Sequence, residues 1–102
     1  MANKPFKQFE RQIARLLGGV RFPANTGGPV DVTSETILAS CKLRKTFGLN
    51  ALAEEAERME REARGTLKIG IVAVKPRRGS GRKSPVLIVM TAGEWARFHG
   101  SP

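Results

Sequence analysis

Apolar positions along the chain follow two periods, one helical and one extended. Phe6, Phe9, Ile13, Leu16 and Leu17 fall at helical spacing and form one stripe, which predicts a helix over residues 5–18. Pro5 suits its first turn and Gly18-Gly19 ends it. Glu10 stands beside Phe9, near the edge of that stripe. Val20 to Phe22 reads as a short strand, and Pro23 to Pro29 as a loop rich in Gly, Asn and Thr. Val30 to Thr33 and Thr36 to Lys42 read as two strands joined by a tight turn at Ser34-Glu35. That turn lacks Asn-Gly, so its type stays open. Asn50 to Ala63 predicts a second helix with Leu52, Ala56, Met59 and Ala63 turned inward and Gly65 as its stop. Leu67 to Val74 and Val86 to Met90 are nearly continuous apolar runs, read as strands buried on both faces beneath helices. Thr91 caps a last helix running through Arg97. Glu94, three residues on, is expected to complete a capping box and so to have a structural task. The element order is αβββαββα, an α/β fold with a mixed five-stranded central sheet flanked by helices.

Composition narrows the partners. The 102 residues make one domain, residues 1–102, able to bury about 60–65% of its unfolded surface. Neither apolar run is long enough to span a bilayer, so no membrane partner is expected. The N-terminus opens polar and basic, unlike a signal peptide. One Cys and one His argue against a disulfide framework and a structural zinc site, and suit a reducing, cytoplasmic setting. Eighteen Lys and Arg face nine Asp and Glu, a net charge of +9, which points to a polyanion such as nucleic acid. Five of the nine acids lie between Glu54 and Glu62, where pairs such as Glu54 with Arg58 and Glu57 with Arg61 read as a solvated, salt-bridged helix face. The others, Glu10, Asp31, Glu35 and Glu94, stand isolated in basic surroundings.

Chemistry gathers around Asp31 and Lys42. Residues two apart on a strand share a face, so Leu38, Ser40 and Lys42 point one way and Ile37, Ala39 and Cys41 the other. A hairpin of the two strands sets Asp31 on the face of Lys42. A carboxylate and an ammonium so placed on a basic surface suit phosphodiester cleavage. Asp31 offers the oxygen ligand that Mg²⁺ prefers. The metal polarises phosphate and acidifies water. Lys42 positions or deprotonates that water and offsets developing charge.

Pro29-Val30-Asp31, followed after eight residues by Ser40-Cys41-Lys42, resembles the PD-(D/E)XK nuclease signature. Phe9-Glu10-Arg11 on a helix, then Gly18-Gly19, Arg21 and the Thr26-Gly27-Gly28 loop, are similar to archaeal-type and phage Holliday junction resolvases. The resemblance covers roughly residues 6 to 98. It implies a restriction-endonuclease-like fold and a Mg²⁺-dependent enzyme, with Mn²⁺ as the other metal, that cuts branched DNA as a symmetric homodimer. It further implies Glu10 and Asp31 at the metal, Lys42 as the catalytic lysine, and the Cys41 backbone carbonyl as a metal ligand. One departure stands out: the family carries Glu or Asp where this chain has Ser40. Glu35 is a poor substitute, since five residues along a strand is about 16 Å and the odd spacing reverses the face. Ser40 is then expected to reach the metal through water, with Glu10 making up the charge, in a nuclease that is weakened at this position.

The remaining cations supply the track for DNA. Arg77, Arg78, Arg82 and Lys83 form a basic hairpin tip with Gly79 and Gly81, and Lys4, Lys7, Arg11, Arg44 and Lys45 add to it. Arg21 is expected near the scissile phosphate and Thr26 beside the backbone. Cys41 reads as a small core residue, His99 as a surface residue without a catalytic partner, and Trp95 and Phe98 as core or subunit contacts. Two other classes compete with the nuclease: a DNA-binding module that kept the fold without catalysis, for which Ser40 argues, and a basic ribosomal-type RNA binder.

Overall fold

The first helix, α1 (Lys4–Leu17), buries Phe9, Ile13 and Ala14 and closes on Gly18, whose φ of 67° is one that a Cβ disfavours. The computed structural model describes residues 4–22, 28–79 and 82–100, the Lys4 side chain excepted. The further elements are β1 (Val20–Arg21), β2 (Val32–Thr33), β3 (Ile37–Arg44), α2 (Leu49–Ala63), β4 (Ile69–Pro76), β5 (Leu87–Val89) and α3 (Ala92–Phe98). The strands form one mixed sheet in chain order, with β3 and β4 parallel and the other pairs antiparallel. The parallel pair needs a crossover, and α2 supplies it.

The sheet has two packed faces. On one, α1 lays Phe9, Ile13 and Ala14 against Val32, Ala39, Cys41, Ile71 and Ala73. On the other, Ala56 and Met59 of α2 pack on Val72 and Val74, with Leu38 and Val89 at the margin. β4 is an interior strand between β3 and β5, and its residues from Ile69 to Val74 are all buried. At Gly70 a Cβ would collide with the backbone carbonyl of Met59, so glycine lets α2 lie close against the sheet.

Three expectations need correcting. The hairpin turn has Glu35 and Thr36 at its tip: Ser34 N–H donates to the Ile37 carbonyl at 2.9 Å, and Ile37 N–H donates to Ser34 Oγ at 3.1 Å. A serine side chain thus replaces the turn chemistry that Asn-Gly would supply. The pairing register moves by two relative to a tip at Ser34-Glu35, which leaves every side chain on its expected face. Second, β5 is an edge strand and not a strand buried on both faces: Leu87 and Ile88 are exposed. Third, only half of the capping box forms. Glu94 N–H donates to Thr91 Oγ1 at 3.1 Å, but the Glu94 carboxylate is fully buried, accepting from Gly70 N–H at 2.7 Å and from Arg97 at 2.8 Å. Glu94 therefore ties α3 to β4 instead of closing back on its own cap. Among the described residues no helix is long and apolar enough to cross a membrane.

Candidate active site

β2 and β3 part company at Asp31, and the site lies at that parting. Ile37 and Ala39 present their carbonyls toward β2, and Asp31 N–H donates to the Ala39 carbonyl at 2.8 Å. One step further the ladder changes character: Cys41 N–H donates to Asp31 Oδ2 at 2.8 Å. The carboxylate fills the place of a backbone carbonyl, and this bond fixes its orientation. Strand alternation puts the Cys41 carbonyl on the same edge as that of Ala39. The Cys41 thiol is buried beneath α1, and burial pushes it up to a neutral form.

Two further carboxylates approach Asp31 from opposite helices. Glu10, on α1, lies close enough to Asp31 for each carboxyl to act on the other. It is held by Arg21 of β1, whose Nε and Nη2 sit 3.0 and 2.9 Å from Oε1. Burial raises the carboxyl groups of both Asp31 and Glu10 above the ordinary range. The Cys41 N–H and the Lys42 charge work against this at Asp31, and Arg21 works against it at Glu10. The third carboxylate is Glu55 of α2. Ser40 Oγ donates to its Oε2 at 2.7 Å, Lys42 Nζ lies 3.6 Å from the same oxygen, and Arg58 Nη1 lies 3.8 Å from Oε1.

Glu55 is the functional candidate that the sequence reading missed. It belongs to the run assigned to a solvated face, yet its side chain is only 14% exposed. Arg58, expected to pair with Glu54, pairs with Glu55. A signal was present: Glu55 stands three residues after Leu52 and four before Met59, at the edge of the inward stripe. Ser40 is buried and its proton goes to Glu55, so the carboxylate absent from position 40 is delivered from α2 onto the serine.

Asp31, Cys41, Lys42, Arg44, Glu55 and Arg58 line one cleft of about 380 Å³, closed by Phe6, Gly28, Pro29 and Leu43. Glu10 does not line it. Among the described residues no three His, Cys, Asp or Glu side chains make a complete ligand set. Two carboxylates and one carbonyl nevertheless match Mg²⁺, which takes hard oxygen donors and commonly keeps water and substrate phosphate as its other ligands. Lys7, Arg11, Lys45, Arg77, Arg78, Arg82 and Lys83 are exposed. The basic hairpin folds back on itself, with Arg78 donating to the Lys83 carbonyl at 3.1 Å, and Arg77 N–H joins it to β3 at Arg44. Thr26 and Gly81 lie outside the described residues, as does the Lys4 side chain. His99 lies against Trp95 with ring centres 3.8 Å apart and the rings tilted by 46°, and it does not line the cleft. Compared with protein families, curated proteins and solved structures, the chain matches none.

Proposed function

We propose that this chain is a metal-dependent endonuclease acting on DNA, of the PD-(D/E)XK type, with branched DNA as its preferred substrate and duplex DNA as the nearest alternative. One observation carries the reading: Asp31 just before β2, Lys42 on β3 and Glu55 on α2 line a single cleft in a strongly basic chain. Asp31 and Glu55 would hold Mg²⁺ or Mn²⁺ together with the Cys41 carbonyl. When bound, the metal supplies Lewis acidity at the scissile phosphate and a more acidic water. Ser40 fixes the Glu55 carboxylate, and the Cys41 amide fixes that of Asp31. Lys42 orients the attacking water and offsets charge on the phosphate oxygens. Arg44 and Arg58 line the approach for the substrate backbone.

Cutting a four-way junction at two symmetric positions calls for two such sites, hence a two-fold dimer in a cytoplasmic setting. The groove formed by Leu17, Ile37, Ile69, Ile71, Ile88, Met90, Trp95 and Phe98, lined by apolar surface alone, supports a second copy there. The lack of a complete three-side-chain ligand set among the described residues favours one rival, a DNA-binding module without catalysis. A labelled four-way junction and a matching duplex, incubated with Mg²⁺ or Mn²⁺, separate these readings. Metal-dependent cutting of the junction is the expected result, and binding without cutting at any metal concentration selects the module.

A further inference from the structure

Both helix-borne carboxylates at this corner are engaged by arginine. Arg21 places two nitrogens on one oxygen of Glu10, and Arg58 reaches the Glu55 oxygen that Ser40 and Lys42 leave open. Among the described residues Asp31 has no arginine partner, and its bound oxygen accepts from a backbone amide. The carboxylates Glu10, Asp31 and Glu55 are thus outnumbered by Arg21, Lys42, Arg44 and Arg58, so a divalent ion approaching the free protein meets no net negative charge. The two guanidinium-bearing side chains remain 35% and 53% exposed, reachable by a ligand while they hold their carboxylates. A planar guanidinium fork binds phosphate at least as well as it binds carboxylate.

We propose that Arg21 and Arg58 are positioning residues that couple metal binding to nucleic-acid binding. In the free protein they neutralise Glu10 and Glu55. A DNA backbone lying across the cleft draws the guanidinium groups to its phosphates; the released Glu55 then attracts the metal directly, while Glu10, which does not line the cleft, adds its charge through Asp31 beside it. The coupling is reciprocal: DNA tightens the metal by the factor by which the metal tightens DNA. This inference rests on the metal-nuclease reading.

Two measurements on the intact protein test it, using Ca²⁺ as an oxygen-seeking probe. Calorimetry gives Ca²⁺ affinity without DNA, and fluorescence anisotropy gives affinity for a labelled junction with and without Ca²⁺ at constant ionic strength. In the wild type, Ca²⁺ should tighten junction binding on the order of tenfold. Arg21→Gln and Arg58→Gln should each bind Ca²⁺ several-fold more tightly without DNA, with the coupling factor moving toward one. A purely structural role for the arginines would instead weaken Ca²⁺ binding on substitution. Unchanged or weaker DNA-free Ca²⁺ affinity in both variants, or an undiminished coupling factor, overturns the inference and leaves the metal centre standing. Absence of Ca²⁺ binding in every protein, with and without DNA, overturns the inference and the metal-nuclease reading together.

Discussion

The folded surroundings of Asp31 disfavour its negative charge, since burial raises its carboxyl first of all and the Glu55 carboxylate adds to that. A group whose folded value exceeds its unfolded one binds more protons in the folded state. Its contribution to stability therefore falls as pH rises through the window between the two values. Asp31→Asn keeps the acceptor for Cys41 N–H and removes the charge. The metal-free variant should melt at a higher temperature than the wild type at pH 7, and the gain should shrink as pH falls through that window, as followed by calorimetry. Cleavage should be lost and DNA binding retained. A second outcome concerns position 40. Ser40→Glu alone sets a carboxylate against Glu55 in a buried site and should cut activity by orders of magnitude. Adding Glu55→Ser moves the charge from helix to strand and should recover much of the loss, measured as initial cleavage rates over a Mg²⁺ series. Asp31 and Lys42 were legible as a pair because strand alternation constrains faces strongly. Glu55 was hidden because glutamates with arginines four residues on describe a solvated helix face equally well.

Among the elements, α2 owes its position to Gly70, where it rests its Met59 carbonyl close to β4. Gly70→Ala should destabilise the fold by about 1–3 kcal/mol. It should also lift α2, and Glu55 with it, so that activity falls in the fraction that stays folded. Glu94→Ala leaves the buried Gly70 N–H without its acceptor and should cost about 1–3 kcal/mol in urea unfolding. Helix boundaries were readable to within a residue or so from Gly18, Gly65 and Thr91, which are local signals. The carboxylate of Glu94 was not, because its partner lies 24 residues away on another element. The exposed side chains of β5 escaped for a related reason: an apolar run of five reads alike at the centre of a sheet and at its edge.

For the molecule as a whole, the net charge of +9 makes any DNA affinity depend steeply on salt. Each phosphate neutralised contributes a slope of about −0.9 in log affinity against log salt. Replacing Arg77, Arg78, Arg82 and Lys83 with alanine should flatten the slope by up to about 3.6 if each meets a phosphate. Anisotropy titrations over a salt series check this, and an unchanged slope places the hairpin away from DNA. The order of elements followed from the succession of helical and strand periods alone. The partner did not, because positive charge identifies phosphate and says nothing of its shape.

The hydrogen bond from Cys41 N–H to Asp31 gives the cleft a reporter of its own. A single backbone amide senses directly whether that carboxylate is charged, protonated or engaged by a cation. In a ¹⁵N-labelled sample the Cys41 cross-peak should therefore move with acid and with added divalent ion, while amides elsewhere on β3 stay nearly fixed. The state of the cleft can then be followed in solution with no probe attached and no substrate present.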